Sequence, residues 1–164
     1  MALRRALLAT CLVSLTLACG GGTLDDDLAA LEASYHAGDY AAVEAEAPKV
    51  LERAEAESAP ESKVWKAEKL RLQSLARQGS GKATLAELER LSGAHASKVD
   101  AALYVGICNM LAATPEAALD AVDVLDAGGK RFPADAEKFK NLAKVLAESG
   151  GDAVNEKLSQ LGYL

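Results

Sequence analysis

The sequence is poor in the residues that build sheets, staples and reactive centres. Aromatic side chains make up 4% of its 164 residues, and runs of β-branched residues are nearly missing. Strands therefore have little support. Two histidines, His36 and His95, stand about sixty positions apart, and neither has a second nitrogen or sulfur ligand at metal spacing. They read as solvated or capping side chains, which leaves no metal site. Three cysteines are too few and too scattered for a disulfide framework. Positive charge is also short. Lys and Arg number 18 against 24 Asp and Glu, for a net charge of −6. Such a chain repels phosphate backbones and offers no basic patch, which argues against nucleic acid as a partner. No serine, cysteine or histidine stands in a nucleophile setting, and no glycine-rich stretch carries a phosphate-loop lysine. The expectation is a protein that is not an enzyme and carries no cofactor.

What remains is rich in Ala, Leu, Glu and Lys, all strong helix formers. The N-terminal segment differs from the rest. Arg4 and Arg5 precede an apolar stretch from Ala6 to Ala18, too short to span a bilayer but suited to an export signal. It ends in Thr16-Leu17-Ala18-Cys19, followed by Gly20-Gly21-Gly22. This resembles the lipobox of bacterial lipoprotein signal peptides, although Thr16 stands where leucine is commonest. The resemblance implies cleavage between Ala18 and Cys19 and diacylglycerol on the Cys19 sulfur. The glycines would be a flexible tether. Two or three acyl chains anchor a domain stably, at about 0.8 kcal/mol per buried CH₂. A glycine after the lipidated cysteine leans, by the same resemblance, toward the outer membrane facing the periplasm. Residues 1–18 thus read as signal, 19–23 as lipidated tether and 24–164 as the folded domain. Without Arg4 and Arg5 the net charge would be −8. Cys108 would then be the one free thiol, and it reads as a small core residue.

The folded part reads as helices throughout. Asp25, Asp26 and Asp27 open a first helix with Leu24, Leu28, Leu31 and Tyr35 on one face. Asp39 caps a second, from Tyr40 to Glu57, which Pro48 should kink or divide. A third carries Trp65, Leu72, Leu75 and Ala76 and ends at Gln78-Gly79. A short fourth holds Leu85, Leu88 and Leu91, with Ser92 to His95 as a loop. The fifth is the most apolar, with Val99, Leu103, Gly106, Ile107 and Met110 on one face, and belongs at the centre. Thr114-Pro115 signals a capped start for the sixth, which should weaken at Gly128-Gly129. A seventh has Phe139, Leu142, Ala143 and Leu146 on its face, and a short eighth ends near Leu161. Asp120, Asp123 and Asp126 form an acidic stripe on the sixth, read as a solvated face.

The breaks recur. Gly38 and Gly79 are 41 residues apart, Gly79 and Thr114 are 35, and Thr114 and Gly150 are 36, with two helices in each interval. A period in the mid-thirties with two helices per unit marks an α-solenoid. Tyr35-His36-Ala37-Gly38-Asp39-Tyr40-Ala41-Ala42 resembles the turn of a tetratricopeptide repeat, with Val43 at a position usually small. Gly106, Ala118 and Arg131-Phe132-Pro133 match a third unit, while the second and fourth match in length alone. The fold implied is an all-α, right-handed solenoid of three to four antiparallel helix pairs. A generic, irregular helical bundle is the alternative. Small residues such as Gly106, Ala118 and Ala143 would let helices approach closely. By the resemblance, the first helices of the pairs line a groove for a protein or peptide; its candidate contacts are Tyr35, Trp65, Tyr104 and Asn109, of which Trp65 reads first as a core residue and as a peptide anchor if it is exposed in the groove. The function expected is a lipid-anchored, non-enzymatic scaffold or assembly factor of the cell envelope. A periplasmic lipoprotein binding small molecules or cell wall is the rival.

Overall fold

The computed structural model describes residues 22–164, so the signal, the lipobox and Cys19 lie outside the described residues. Eight α-helices account for nearly all of it: α1 (Leu24–His36), α2 (Tyr40–Ala56), α3 (Glu61–Arg77), α4 (Gly81–Ala94), α5 (Ala101–Ala112), α6 (Ala118–Arg131), α7 (Ala136–Ser149) and α8 (Gly151–Gln160). Short 3₁₀ turns, Pro115–Ala117 and Pro133–Asp135, lead into α6 and α7. There is no strand among the described residues. The odd helices pack in succession, α1 on α3, α3 on α5 and α5 on α7. On the other side α4 packs on α6 and α6 on α8.

Local chemistry explains the ends. Thr23 and Asp26 form a reciprocal capping box at α1, with the Thr23 N–H donating to Asp26 at 2.7 Å. These bonds, to the Asp26 carboxylate from the Thr23 backbone and side chain, hold its pKa below the ordinary value. Asp39 and Asp100 cap α2 and α5 through the N–H groups of Ala42 and Leu103. Four helices end in the same reversal, in which an N–H reaches back five residues. The bonds run from Asp39 to Ser34, Ala59 to Ala54, Ser80 to Leu75 and Tyr163 to Leu158, at 2.8–3.0 Å. The left-handed position is Gly38, Gly79 or Gly162 at three of them, but Ser58, at φ 51°, closes α2.

The apolar faces bury in two continuous sets. Leu24, Leu28 and Leu31 of α1 meet Val43, Ala47 and Val50 of α2, together with Ala67 and Leu70. From Leu72 onward the buried side chains of α3 to α8 form the larger core, centred on Tyr104, Cys108, Leu125 and Phe139. Phe139, Leu142, Ala143 and Leu146 all face inward, as the pattern of the seventh helix predicts. Cys108 is fully buried, and its Sγ donates to the Ala121 carbonyl at 3.1 Å. Burial pushes its thiol up to about 12.

Several expectations are corrected. The helix Tyr40–Ala56 is not divided at Pro48, which is exposed, where water can satisfy the carbonyl left without a donor. α4 is not short, for Ser92 to Ala94 continue the helix and His95 is its C-cap. Thr114 makes no side-chain capping bond, and a 3₁₀ turn precedes α6. α6 does not weaken at Gly128-Gly129. Gly128 is a close-packing site, since a Cβ there would lie 2.5 Å from Phe139 Cε1 and 2.9 Å from Tyr104 Cδ1. Gly106 is the reverse: a Cβ there would meet nothing within 4 Å, so it brings no helices together. α5 buries Ala101, Tyr104, Ile107, Cys108 and Leu111, and leaves Leu103, Gly106 and Met110 half-buried. The acidic stripe is partly engaged, with Asp123 2.7 Å from Lys157 and Asp126 2.6 Å from Lys130. No described helix is long and apolar enough to cross a membrane.

Candidate interaction groove

α3 and α5 pack side by side, and each offers the other a row of side chains at helical spacing. On α3 these are Trp65, Lys69 and Gln73, one turn apart. On α5 they are Leu103, Gly106, Ile107 and Met110. Between the rows lies a hollow of about 350 Å³, with Lys98 and Asp100 of the α4–α5 connection at one end. A second hollow, about 260 Å³, lies between α1 and α3 and is lined by Tyr35, His36 and Lys66 among others. Lys69 and Gln73 of α3 border both, so the two hollows lie on either side of the same pair of side chains.

The tryptophan in this groove is held from behind. The His95 ring lies 5.7 Å from it, tilted by 56°. His95 is in turn fixed by carboxylates. Its Nε2 is 2.6 Å from Glu68 Oε2, and its Nδ1 is 3.5 Å from Glu61 Oε1. Glu68 and Glu87 are both buried and both accept hydrogen bonds from Arg90, at 2.9 and 2.8 Å. Arg71 adds a bond of 3.2 Å to Glu87. Burial alone would raise the Glu87 carboxyl. The Arg90 bonds and the charges of Arg71 and Arg90 outweigh it, and the group sits below its ordinary value. The same bond to Glu87 leads the causes that push Arg90 up. These charges tie α3 to α4 and to the start of the connection that leads into α5.

The electrostatics of the rim run against the chain as a whole. Lys66 is neutralised by Glu32 at 2.8 Å. Lys69 and Lys98, both exposed, have no ion-pair partner among the described residues. Asp100 is the one carboxylate beside the larger hollow, and its Oδ1 is occupied by the Leu103 N–H at 2.8 Å.

The sequence candidates separate accordingly. Tyr35 and Trp65 both line the groove, one in each hollow. Tyr104 does not: it is 2% exposed, its hydroxyl sits 3.2 Å from Ser92 Oγ, and its ring meets Phe132 edge-on. Asn109 is exposed on α5 but outside the hollow. His36 is exposed, whereas His95, expected to be solvated or capping, occupies the C-cap of α4 with its side chain 14% exposed. Lys69, Gln73 and Lys98 were not legible as groove residues, since surface lysines carry no period of their own. Cys108 lies outside the groove and is fully buried. Set against protein-family models, curated proteins and solved structures, the chain finds no match in any of the three.

Proposed function

We propose that this protein is a lipid-anchored, non-enzymatic interaction scaffold of the bacterial cell envelope, holding a polypeptide partner in the groove across α1, α3 and α5. The fold belonging to this reading is a right-handed, tetratricopeptide-like solenoid of helix pairs α1–α2, α3–α4, α5–α6 and α7–α8. The succession of odd helices on one side and of α4, α6 and α8 on the other supports it. The lipobox-like Thr16-Leu17-Ala18-Cys19 supports the anchor, with an outer-membrane placement facing the periplasm. The single observation that carries the function is the hollow between α3 and α5 with the half-buried Trp65 in its lining. An amphipathic aromatic side chain in a concave surface of mixed polarity is the kind of anchor that dominates binding energy.

The test is crosslinking in intact envelopes, followed by capture of the chain. Native protein should carry a discrete partner band. Gly106→Leu, which adds a side chain on the lining of the hollow, should lose it. Cys19→Ser, which removes the lipid attachment, should lose both the band and the membrane fraction. A band that survives Gly106→Leu would refute the groove, and a Cys19→Ser protein still held in the membrane would refute the anchor.

A further inference from the structure

We infer that the groove takes an acidic polypeptide segment that crosses α5 at Gly106, seats an apolar side chain between Trp65 and Met110, and sets carboxylates against Lys69 and Lys98. The inference rests on the scaffold reading above and names the chemistry of its partner.

Gly106 is the first ground. Glycine weakens a helix interior and is kept where a turn, a positive φ or close packing demands it. Gly38, Gly79, Gly151 and Gly162 answer to positive φ, and Gly128 to buried rings. Gly106 answers to none of these; Gly93 does not either, but it lies one residue from the end of α4 and lines neither hollow. The φ of Gly106 is not positive, it lies in the middle of α5, and the space its Cβ would occupy is open. That space is the hollow itself. Bare backbone facing an open groove is what lets another chain lie close against a helix.

Charge is the second ground. A protein with 24 acidic and 18 basic residues places two lysines without ion-pair partners at the rim of this one hollow. Its sole carboxylate there, Asp100, caps α5 through Oδ1 and keeps its charge, so the rim carries two cations against one anion. In such a field a basic segment is repelled at the rim, while carboxylates gain two cations that need not first be released from internal pairs. The floor of Trp65, Leu103, Ile107 and Met110 asks for an apolar side chain, and methionine adapts to its shape. The occupant is therefore acidic at its flanks and apolar at its centre.

The test uses the full chain and three fluorescein-labelled heptapeptides with a central phenylalanine, flanked on both sides by glutamate, glutamine or lysine. Binding is read by peptide anisotropy and by emission of Trp65, the sole tryptophan. The glutamate peptide should bind at least tenfold more tightly than the glutamine peptide and shift Trp65 emission. Lys69→Gln with Lys98→Gln should erase that preference, and so should 0.5 M salt. Gly106→Leu should weaken the glutamate peptide at least tenfold. Gly106→Ala, which keeps the helix and adds one methyl, should weaken it about two- to threefold. If the glutamine or lysine peptide binds as tightly and still depends on Gly106, the acidic partner is overturned while the groove stands. If no peptide moves Trp65 emission, both the partner and the groove reading fall.

Discussion

Two helical glycines of this protein should respond in opposite ways to the same substitution. Gly106 lies mid-way along α5 and Gly128 near the end of α6. Replacing glycine by alanine in a helix interior gains about 0.8–1 kcal/mol from propensity. At Gly106 nothing opposes that gain, because the added Cβ meets no atom within 4 Å. Gly106→Ala should therefore raise stability by about 0.5–1 kcal/mol, or a melting temperature by about 2–4 °C in a domain of this size. At Gly128 the Cβ would sit 2.5 Å from Phe139 Cε1 and 2.9 Å from Tyr104 Cδ1. Phe139 is 1% exposed and Tyr104 2%, so neither ring can swing into solvent. Overpacking of this kind costs about 1–3 kcal/mol and outweighs the propensity gain. Gly128→Ala should lose up to about 2 kcal/mol, leaving the two variants about 0.5–3 kcal/mol apart. Urea unfolding followed by circular dichroism measures both. A destabilised Gly106→Ala would mean that the hollow beside α5 is closed in solution, and the groove built on it would go with it.

Three further outcomes follow from the same structure. Ser58→Gly should stabilise by about 0.5–1 kcal/mol in the same urea titration, since it relieves a non-glycine residue at φ 51° at the end of α2. Cys108, buried and with its thiol pushed up to about 12, should react with a maleimide at least ~1000-fold more slowly in the native chain than in urea. Peptide mapping by mass spectrometry separates it from the other cysteines. The Glu87 carboxyl is depressed in the folded state, so its contribution is complete above the ordinary carboxylate value and is lost as pH falls through the folded one. Glu87→Gln should cost about 1–2 kcal/mol at neutral pH, a modest figure because Arg71 and Arg90 are partly solvated. It should also flatten the acid limb of the stability curve, and an unchanged limb would refute that role.

The helices were legible because their stops are chemical. Asp39 as a cap and Gly38 and Gly79 at left-handed positions mark boundaries that no packing rearranges. Where the signal was a glycine or proline inside a helix, it did not mark a boundary: α2 is not divided at Pro48 and α6 continues through Gly128-Gly129. Pro48 faces water and Gly128 faces rings, and both are tolerated by surroundings that sequence does not display. The groove was half legible. Trp65 and Tyr35 stood out as scarce aromatics on the first helices of their pairs. On α5 the reading reversed, because a helix apolar nearly all round has no period to tell core from groove. Tyr104 and Cys108 took the core, and Leu103, Gly106 and Met110 faced the hollow. The His95–Glu68–Arg90 network was invisible, since its members lie on separate elements and meet through the packing of α3 on α4.

The central claim is that a partner lies in the groove over Gly106. A photocrosslinking residue in place of Met110, in the full chain within intact envelopes, tests it most directly, with the same residue in place of exposed Asn109 as the control outside the hollow. The account predicts a discrete polypeptide adduct from position 110, none from position 109, and loss of the adduct when Gly106→Leu is added. Equal adducts from both positions, or an adduct that ignores Gly106→Leu, would contradict it.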